Sequence, residues 1–263
     1  MGVKAYLKKV YDTRYFWSHL AKCDLKSRFR RSKLGLLWVV LQPFFLTIIM
    51  AFVFSTVFHE PLGEYMLYIL SGMVVWDLIS ASTIGGGNCL LCSDQYIRQF
   101  NHPITIYSLR YAVLNTITFV IEMLALVIWV LVYSPVNLVF ALITLPLTTL
   151  IYFFLAWAVT TLAGYCNTKY RDYPQVMALV MQTIWYLSPV FFKEEMFMAR
   201  PWLEKMFQLN PLTHILNLIR KPFLYAQMPS VTNYLFTLAT LALFGFFAYR
   251  MNKKNEKKII FYL

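Results

Sequence analysis

Asp77 and Glu122 are the residues whose setting most invites chemistry, because each is the one acid inside a long apolar run. A carboxylate within hydrocarbon is costly, so it faces the protein interior or a water-filled path, where it can carry a proton or hold a ligand. Counted along ideal helices, Asp77 lies about 18 Å from one membrane boundary and Glu122 about 17 Å from the other. At such similar depths the two could share a proton. A proton-coupled carrier also wants a basic partner at mid-membrane, yet no Lys or Arg falls inside any of the apolar runs. Local capping by Thr, Asn or Trp donors is therefore favoured over a relay.

Other chemistry is sparse. Cys89-x-x-Cys92 has the spacing of half a metal site, but no second pair or histidine cluster completes it. His19, His59, His102 and His214 are scattered along the chain. The pattern G-x-x-x-x-G-K-[ST] is absent and Gly-Lys never occurs as a dipeptide, so the chain carries no P-loop for ATP. Neither H-E-x-x-H nor a nucleophile elbow is present. The sequence points to no catalytic residue, no metal and no cofactor in this chain, and an intramembrane lipid-modifying enzyme has no side-chain cluster to rest on.

Hydropathy sets the elements that must position these groups. Of 263 residues, 59% are hydrophobic and 14% charged, where a soluble domain carries about 25% charged residues. The 24 Lys and Arg against 12 Asp and Glu give +12, a balance that could serve nucleic acid. Ten of the 24, however, lie within residues 1–33 and five from Arg250 onward. Basic ends around an apolar middle fit anionic lipid and cytoplasmic segments rather than a DNA groove. The chain reads as an all-α integral membrane protein with no nucleic-acid partner.

A crossing helix needs about 20 mostly apolar residues. On that measure six spans are expected, at 34–58, 65–84, 111–133, 138–164, 173–192 and 231–249. Ser134-Pro135-Val136-Asn137 divides an uncharged run from Met123 to Thr168 that is too long for one crossing. Pro146 is expected to kink the fourth span. With both termini cytoplasmic, 19 Lys and Arg fall inside and five outside, the five being Lys193, Arg200, Lys205, Arg220 and Lys221 in one loop. The positive-inside rule therefore puts both ends in the cytoplasm. Cys23, Cys89, Cys92 and Cys166 fall on or near that reducing side. No cleavable signal peptide is expected, since a highly charged stretch precedes an apolar run too long for an h-region.

Three segments outside the spans carry information. Residues 1–33 place Tyr6, Val10, Tyr11, Phe16, Leu20 and Phe29 among Lys and Arg at spacings that predict an amphipathic helix in the headgroup plane. Gly85-Gly86-Gly87 weakens the helix before residues 93–103, a polar stretch with Tyr96, Ile97 and Phe100 embedded. A short helix there, ended by Pro103, could meet a soluble partner or be an ordinary turn. Residues 193–230 are too apolar for a solvated loop and too interrupted, by Asn210-Pro211 and Pro222, for two crossings. Short helices dipping into the outer leaflet and back are expected there, packed against protein.

The run Leu25-Lys26-Ser27-Arg28-Phe29-Arg30-Arg31-Ser32-Lys33-Leu34-Gly35-Leu36-Leu37-Trp38, then Leu41-Gln42-Pro43, resembles the N-terminal signature of polysaccharide-exporting ABC transporter permeases. These are the type-2 exporters of O-antigen, capsule and teichoic acid chains. Further similar motifs follow in order: Ile97-Arg98-Gln99-Phe100-Asn101-His102-Pro103, Lys169-Tyr170-Arg171-Asp172-Tyr173, Leu187-Ser188-Pro189-Val190 and Asn210-Pro211-Leu212. One departure is Cys23-Asp24, where the family often has Arg-Asp.

The resemblance implies six spans (residues 34–263) behind an amphipathic gate helix within residues 1–33, with re-entrant helices between spans five and six. It implies a homodimer joined to two cytoplasmic ABC ATPase subunits, which hold the ATP and Mg²⁺, in a bacterial inner membrane. Ile97, Arg98, Gln99, Phe100, Asn101 and His102 become the coupling helix, with Lys169, Arg171 and Asp172 on the same face. The cargo it implies is a polyprenyl-diphosphate-linked polysaccharide, O-antigen first among the candidates. Arg28, Arg30, Arg31 and Lys33 are then expected to receive the diphosphate, since the planar guanidinium donates two parallel bonds to phosphate. Trp38, Phe45 and Phe52, seven residues apart on one face of span one, and Trp185, Tyr186 and Phe192 of span five are expected to line the glycan path. The same spacing also suits lipid-facing aromatics. The rival from another class is a proton-coupled transporter using Asp77 and Glu122.

Overall fold

Hydropathy and proline placement account for most of the helices observed in a computed structural model, which describes residues 3–28, 30–135, 137–193, 201–256 and 258–263. Among them the chain is helical, without strands: α1 (Val3–Asp12), α2 (Arg14–Arg28), α3 (Leu37–Phe58), α4 (Leu62–Thr83), α5 (Asp94–Gln99), α6 (Thr105–Tyr133), α7 (Asn137–Lys169), α8 (Tyr173–Leu187), α9 (Pro201–Leu209), α10 (Pro211–Tyr225) and α11 (Val231–Asn255). Phe29, Val136 and Arg200 lie outside the described residues.

Five of these helices are long and apolar enough to cross a membrane: α3, α4 with the 3-10 turn after it, α6, α7 and α11. The sixth expected crossing is different. Helix α8 has 15 residues, about 22 Å, against a hydrocarbon layer of about 30 Å. The run 173–192 is helical only to Leu187, because Ser188 is held extended (φ −115°, ψ 150°) ahead of Pro189. Elsewhere the helices outrun the expected spans. Helix α6 starts at Thr105, two residues after Pro103, α7 continues through Pro146 to Lys169, and α11 continues to Asn255. Backbone bonding extends a helix past the hydrocarbon wherever its groups are satisfied.

The N-terminal segment forms two helices rather than one. Thr13 separates them, its hydroxyl donating to the Lys9 and Val10 carbonyls at 3.0 Å each. After α2 the chain turns, with Arg31 and Gly35 left-handed (φ 73° and 52°), and α3 begins.

Helix α4 is apolar on all sides and occupies the centre of the bundle, where an all-round apolar helix must sit. Tyr65 to Val75 are buried without a break. Around it pack α3, α6, α7 and α10, with α11 against α7 and α10. A second core gathers at the end of the bundle that holds both basic termini: Val10, Cys89, Leu90, Ile97, Ile104, Tyr107, Tyr165 and Ile259. Cys89 is fully buried beside the Thr160 carbonyl at 3.7 Å, whereas Cys92 is exposed.

The apolar stretch 193–230 is built into the bundle. Asn137 Nδ2 donates to the Phe223 and Leu224 carbonyls at 2.9 Å each, so the last turn of α10 lies level with the first residue of α7. The Tyr152 hydroxyl donates to the Ile215 carbonyl. Tyr152 is about 22 Å further along α7, so the α9–α10 turn reaches halfway down the bundle.

Candidate functional site

At the basic end, α5 rests on its one buried residue, Ile97, and turns Arg98, Gln99, Phe100 and Asn101 outward. Arg98 pairs with Asp94 one turn back at 2.6 Å on the exposed face. Phe16 of α2 packs against Tyr96, Phe100 and His102, with ring centroids 5.9, 6.1 and 4.9 Å apart. Lys169, Arg171 and Asp172 are also exposed at this end. Residues 259–261 lie against α5, and Arg171 donates to the Tyr262 carbonyl at 3.2 Å. The turn at 259–263 therefore bridges the two segments, a juxtaposition with no signal in either motif.

Helices α1 and α2 are tied to this end by side chains. The Tyr6 hydroxyl donates to Glu256 at 2.7 Å and accepts from Asn252 at 3.0 Å. Burial pushes the Tyr6 phenol well above its usual range, which keeps it a donor. Asp24 accepts both Nε and Nη2 of Arg110 in a bidentate ion pair, with both side chains largely out of solvent. In the Cys23-Asp24 dipeptide, then, the acid ties α2 to α6.

Arg28, Arg30, Arg31 and Lys33 are exposed on the last residue of α2 and the turn beyond it. Glu122 is buried and Asp77 half-buried. The two acids lie on α4 and α6, which pack against each other.

The aromatics divide into two groups. Trp38, Phe45 and Phe52 face away from the bundle along one side of α3. Trp185 is half-buried against Phe191 at 4.8 Å, Tyr186 is exposed, and Phe192 packs on Phe58 at 5.8 Å. The structure brings Phe192 to the end of α3 but leaves Trp38, Phe45 and Phe52 on an open face.

The feature least visible in sequence is Arg220 of α10, which is fully buried. Its Nη1 and Nη2 donate to the Pro189 and Val190 carbonyls at 2.5 and 2.6 Å, and its guanidinium lies 3.8 Å from the centre of the Tyr68 ring. Tyr65 and Tyr68 donate to the Phe191 and Phe192 carbonyls at 2.8 and 2.7 Å. Asn210 Nδ2 donates to the Ser188 hydroxyl at 3.0 Å. The motifs Leu187–Val190 and Asn210–Leu212, 20 residues apart, are therefore one structure that fixes the end of α8. Counting Arg220 as a loop charge hid it. Gly72 allows the close approach: a Cβ there would collide with the Val190 carbonyl and stand 2.8 Å from Arg220 Nη2. Gly72→Ala is expected to lower stability by about 1–3 kcal/mol, read as earlier thermal unfolding in detergent, with Gly245→Ala, where nothing lies within 4 Å, as the harmless control.

Residues 15–224 match the family described as ABC-2 type transporter. An O-antigen export system permease protein RfbA of Klebsiella pneumoniae is 21% identical over 255 residues, 93% of this chain and 97% of that protein. The permease of the same name from Myxococcus xanthus is 20% identical, covering 85% of each chain. The polysialic acid transport protein KpsM of Escherichia coli is 22% identical over 88% of this chain and 91% of its own length.

Proposed function

Since the chain belongs to the ABC-2 type transporter family, we propose that it is the membrane subunit of an exporter for a polyprenyl-diphosphate-linked polysaccharide, O-antigen first among the candidates. Two copies work with two cytoplasmic ATPase subunits in a bacterial inner membrane, both termini inside. The observation that carries this reading is the basic end of the bundle. There an exposed α5, the 169–172 turn and the gate helices α1 and α2 are packed into one unit on a chain with no P-loop of its own. Energy must enter from a partner that binds there.

In this reading α8 and residues 188–192 complete the sixth crossing, and α9–α10 is the re-entrant pair, its turn reaching mid-bundle. Arg28, Arg30, Arg31 and Lys33 meet the lipid diphosphate at the inner face. The open α3 face with Trp38, Phe45 and Phe52 lines the glycan path once a second copy closes it, with Trp185, Tyr186 and Phe192 contributing from α8 and its end. Purification of the tagged chain from its native membrane in mild detergent tests the proposal. A stoichiometric ABC ATPase is expected to co-elute, and substitutions at Arg98 to His102 should weaken its retention. A chain that elutes alone and exports without ATP would refute it.

The packing of α4 against α6, the helices that carry Asp77 and Glu122, favours a second reading, proton-coupled transport. Asp77→Asn and Glu122→Gln separate the two. The exporter tolerates at least one of them, with cargo still reaching the outer face, whereas a proton relay loses transport with either.

A further inference from the structure

In sequence the run Gly85-Gly86-Gly87 at the end of α4 suits a flexible hinge, because glycine frees the backbone. The structure uses the run differently. None of the three glycines has a left-handed φ, so conformational freedom is not what they supply. Gly85 is exposed, with nothing within 4 Å of where a Cβ would stand, whereas Gly86 and Gly87 are buried. A Cβ at Gly86 would stand 2.9 Å from Thr160 Oγ1 of α7. One at Gly87 would stand 3.1 Å from the Tyr173 ring and 3.4 Å from Asn167 Cβ. From the opposite side, a Cβ at Gly164 of α7 would collide with Cys89. The turn and α7 therefore meet at a distance that larger residues would crowd.

Hydrogen bonds fasten the fit. Asn167 Nδ2 donates to the Gly87 carbonyl at 3.0 Å and to Asn88 Oδ1 at 3.1 Å. The Tyr173 hydroxyl, at the first residue of α8, donates to the Thr83 carbonyl at 3.1 Å. The segment that joins α4 to α5 is thus keyed to α7 and to the start of α8. Helix α8 is otherwise lightly held: among the described residues it buries one side chain, Met181. Its far end is clamped, with Ser188 on Asn210 and the Pro189 and Val190 carbonyls on Arg220. A helix fixed at one end and lightly packed along its length can be tilted from the other. Coupling between distant sites travels through such packed contacts and rigid elements.

We propose that Gly87 and Tyr173 form the contact through which α5 positions α8. When the partner ATPase displaces α5, the turn before it carries Tyr173 along, and α8 tilts about its clamped end at Ser188. Tyr173 lies about 22 Å from that end, so the displacement is largest at the basic end of the bundle, where the export reading admits the cargo. Tyr173 is a positioning residue: it acts through α8. The driving force rests on the export reading, whereas the contact between Gly87 and Tyr173 does not.

The test places full-length variants in the native host with its own copy deleted, and purifies the complex from the same cells. Export is read as a membrane-impermeant hydrazide dye on periodate-oxidised surface glycan, above the level of the deleted host. ATP hydrolysis, ATPase retention and thermal unfolding are read on the purified complex. Tyr173→Phe removes only the hydroxyl and should lower export per ATP hydrolysed by about 2–10-fold, the worth of one neutral hydrogen bond. Gly87→Ala, which pushes on the Tyr173 ring, should lower it comparably, and Gly85→Ala should leave it unchanged. ATP hydrolysis and ATPase retention should stay at the parent level in all three, which a merely structural role would not spare. Since both residues act through one contact, Gly87→Ala with Tyr173→Ala should export no less than Tyr173→Ala alone, a non-additive result. The proposal is overturned if Tyr173→Phe and Gly87→Ala match the parent in export per ATP. It is equally overturned if their export falls only in step with thermal stability and recovered complex. Should Gly87→Ala fail to fold, Tyr173→Phe decides alone. A parent chain that retains no ATPase defeats the export reading and this proposal with it, whereas an intact parent complex with unaffected variants defeats this proposal only.

Discussion

Arg220→Met is expected to lower the stability of the bundle by about 2–4 kcal/mol. Each buried acceptor left without its donor costs about 1–3 kcal/mol. The Val190 carbonyl would lose its guanidinium donor, and the Pro189 carbonyl would be left with only a share of the Tyr68 hydroxyl proton at 3.2 Å, which already goes to the Phe192 carbonyl at 2.7 Å. Against this stands the relief of removing a charge from a low-dielectric interior, which keeps the net loss below the sum of the broken bonds. Arg220→Lys retains the charge over Tyr68 but cannot reach both carbonyls with a planar fork, so roughly half the loss is expected. Thermal unfolding in detergent orders the three proteins. If the methionine variant melts with the parent, Arg220 does not hold the end of α8. The effect on transport should follow stability, because the residues that Arg220 holds, 188–192, carry the expected Phe192 and adjoin Trp185 and Tyr186.

The second large effect is expected at Asp24 and Arg110. Asp24→Asn leaves the Arg110 guanidinium largely buried without its carboxylate, and breaking a buried ion pair costs about 3–5 kcal/mol. Asp24 retains some exposure, 22% of its side chain against 10% for Arg110, so a loss of about 2–4 kcal/mol is expected. It should be local: α2 loosens from α6 while the central bundle around α4 stays folded. Limited proteolysis at Arg14 and Lys22 should accelerate in Asp24→Asn and in Arg110→Gln. The double substitution should be less sensitive than either, since no charge is then stranded. A double-mutant cycle is expected to return a coupling of about 1–3 kcal/mol. Additive single effects would mean that Asp24 and Arg110 do not act as a pair, and α2 would then be held by Phe16 and by its buried Leu20 and Ala21.

Much of the architecture was legible because hydropathy is a local property. Runs such as Leu37–Phe58 and Val231–Tyr249 must be shielded or lie in lipid wherever the rest of the chain goes. Prolines act locally as well, so the break at Ser134-Pro135 between two apolar runs can be read one residue at a time. The misjudged points were those at which helix length and span length differ. Helix α8 is shorter than its apolar run because Ser188-Pro189 ends it, and residues 1–33 divide at Thr13, a break that hydropathy does not register.

The candidate site was legible in part. The segments 97–102 and 169–172 stood out by composition and resemblance, and they lie at one end of the bundle. Their bridging by residues 259–263 depends on where α11 delivers the chain, over 80 residues after Arg171. The acids Asp77 and Glu122 stand out by burial cost alone, whereas the packing of α4 on α6 that sets them on neighbouring helices is tertiary.

By itself, then, the amino-acid sequence determined the membrane class, the apolar helices, the basic ends, the absence of a nucleotide-binding loop and the family. These follow from composition, period and short motifs, each of which acts over a few neighbouring residues. Only the tertiary structure decided which distant groups meet: Arg220 with the Pro189 and Val190 carbonyls, Asp24 with Arg110, and residues 259–261 with α5. Such pairings depend on the packing of whole helices in three dimensions. A side chain's sequence neighbours do not say whether it will end beside a carbonyl, a carboxylate or lipid.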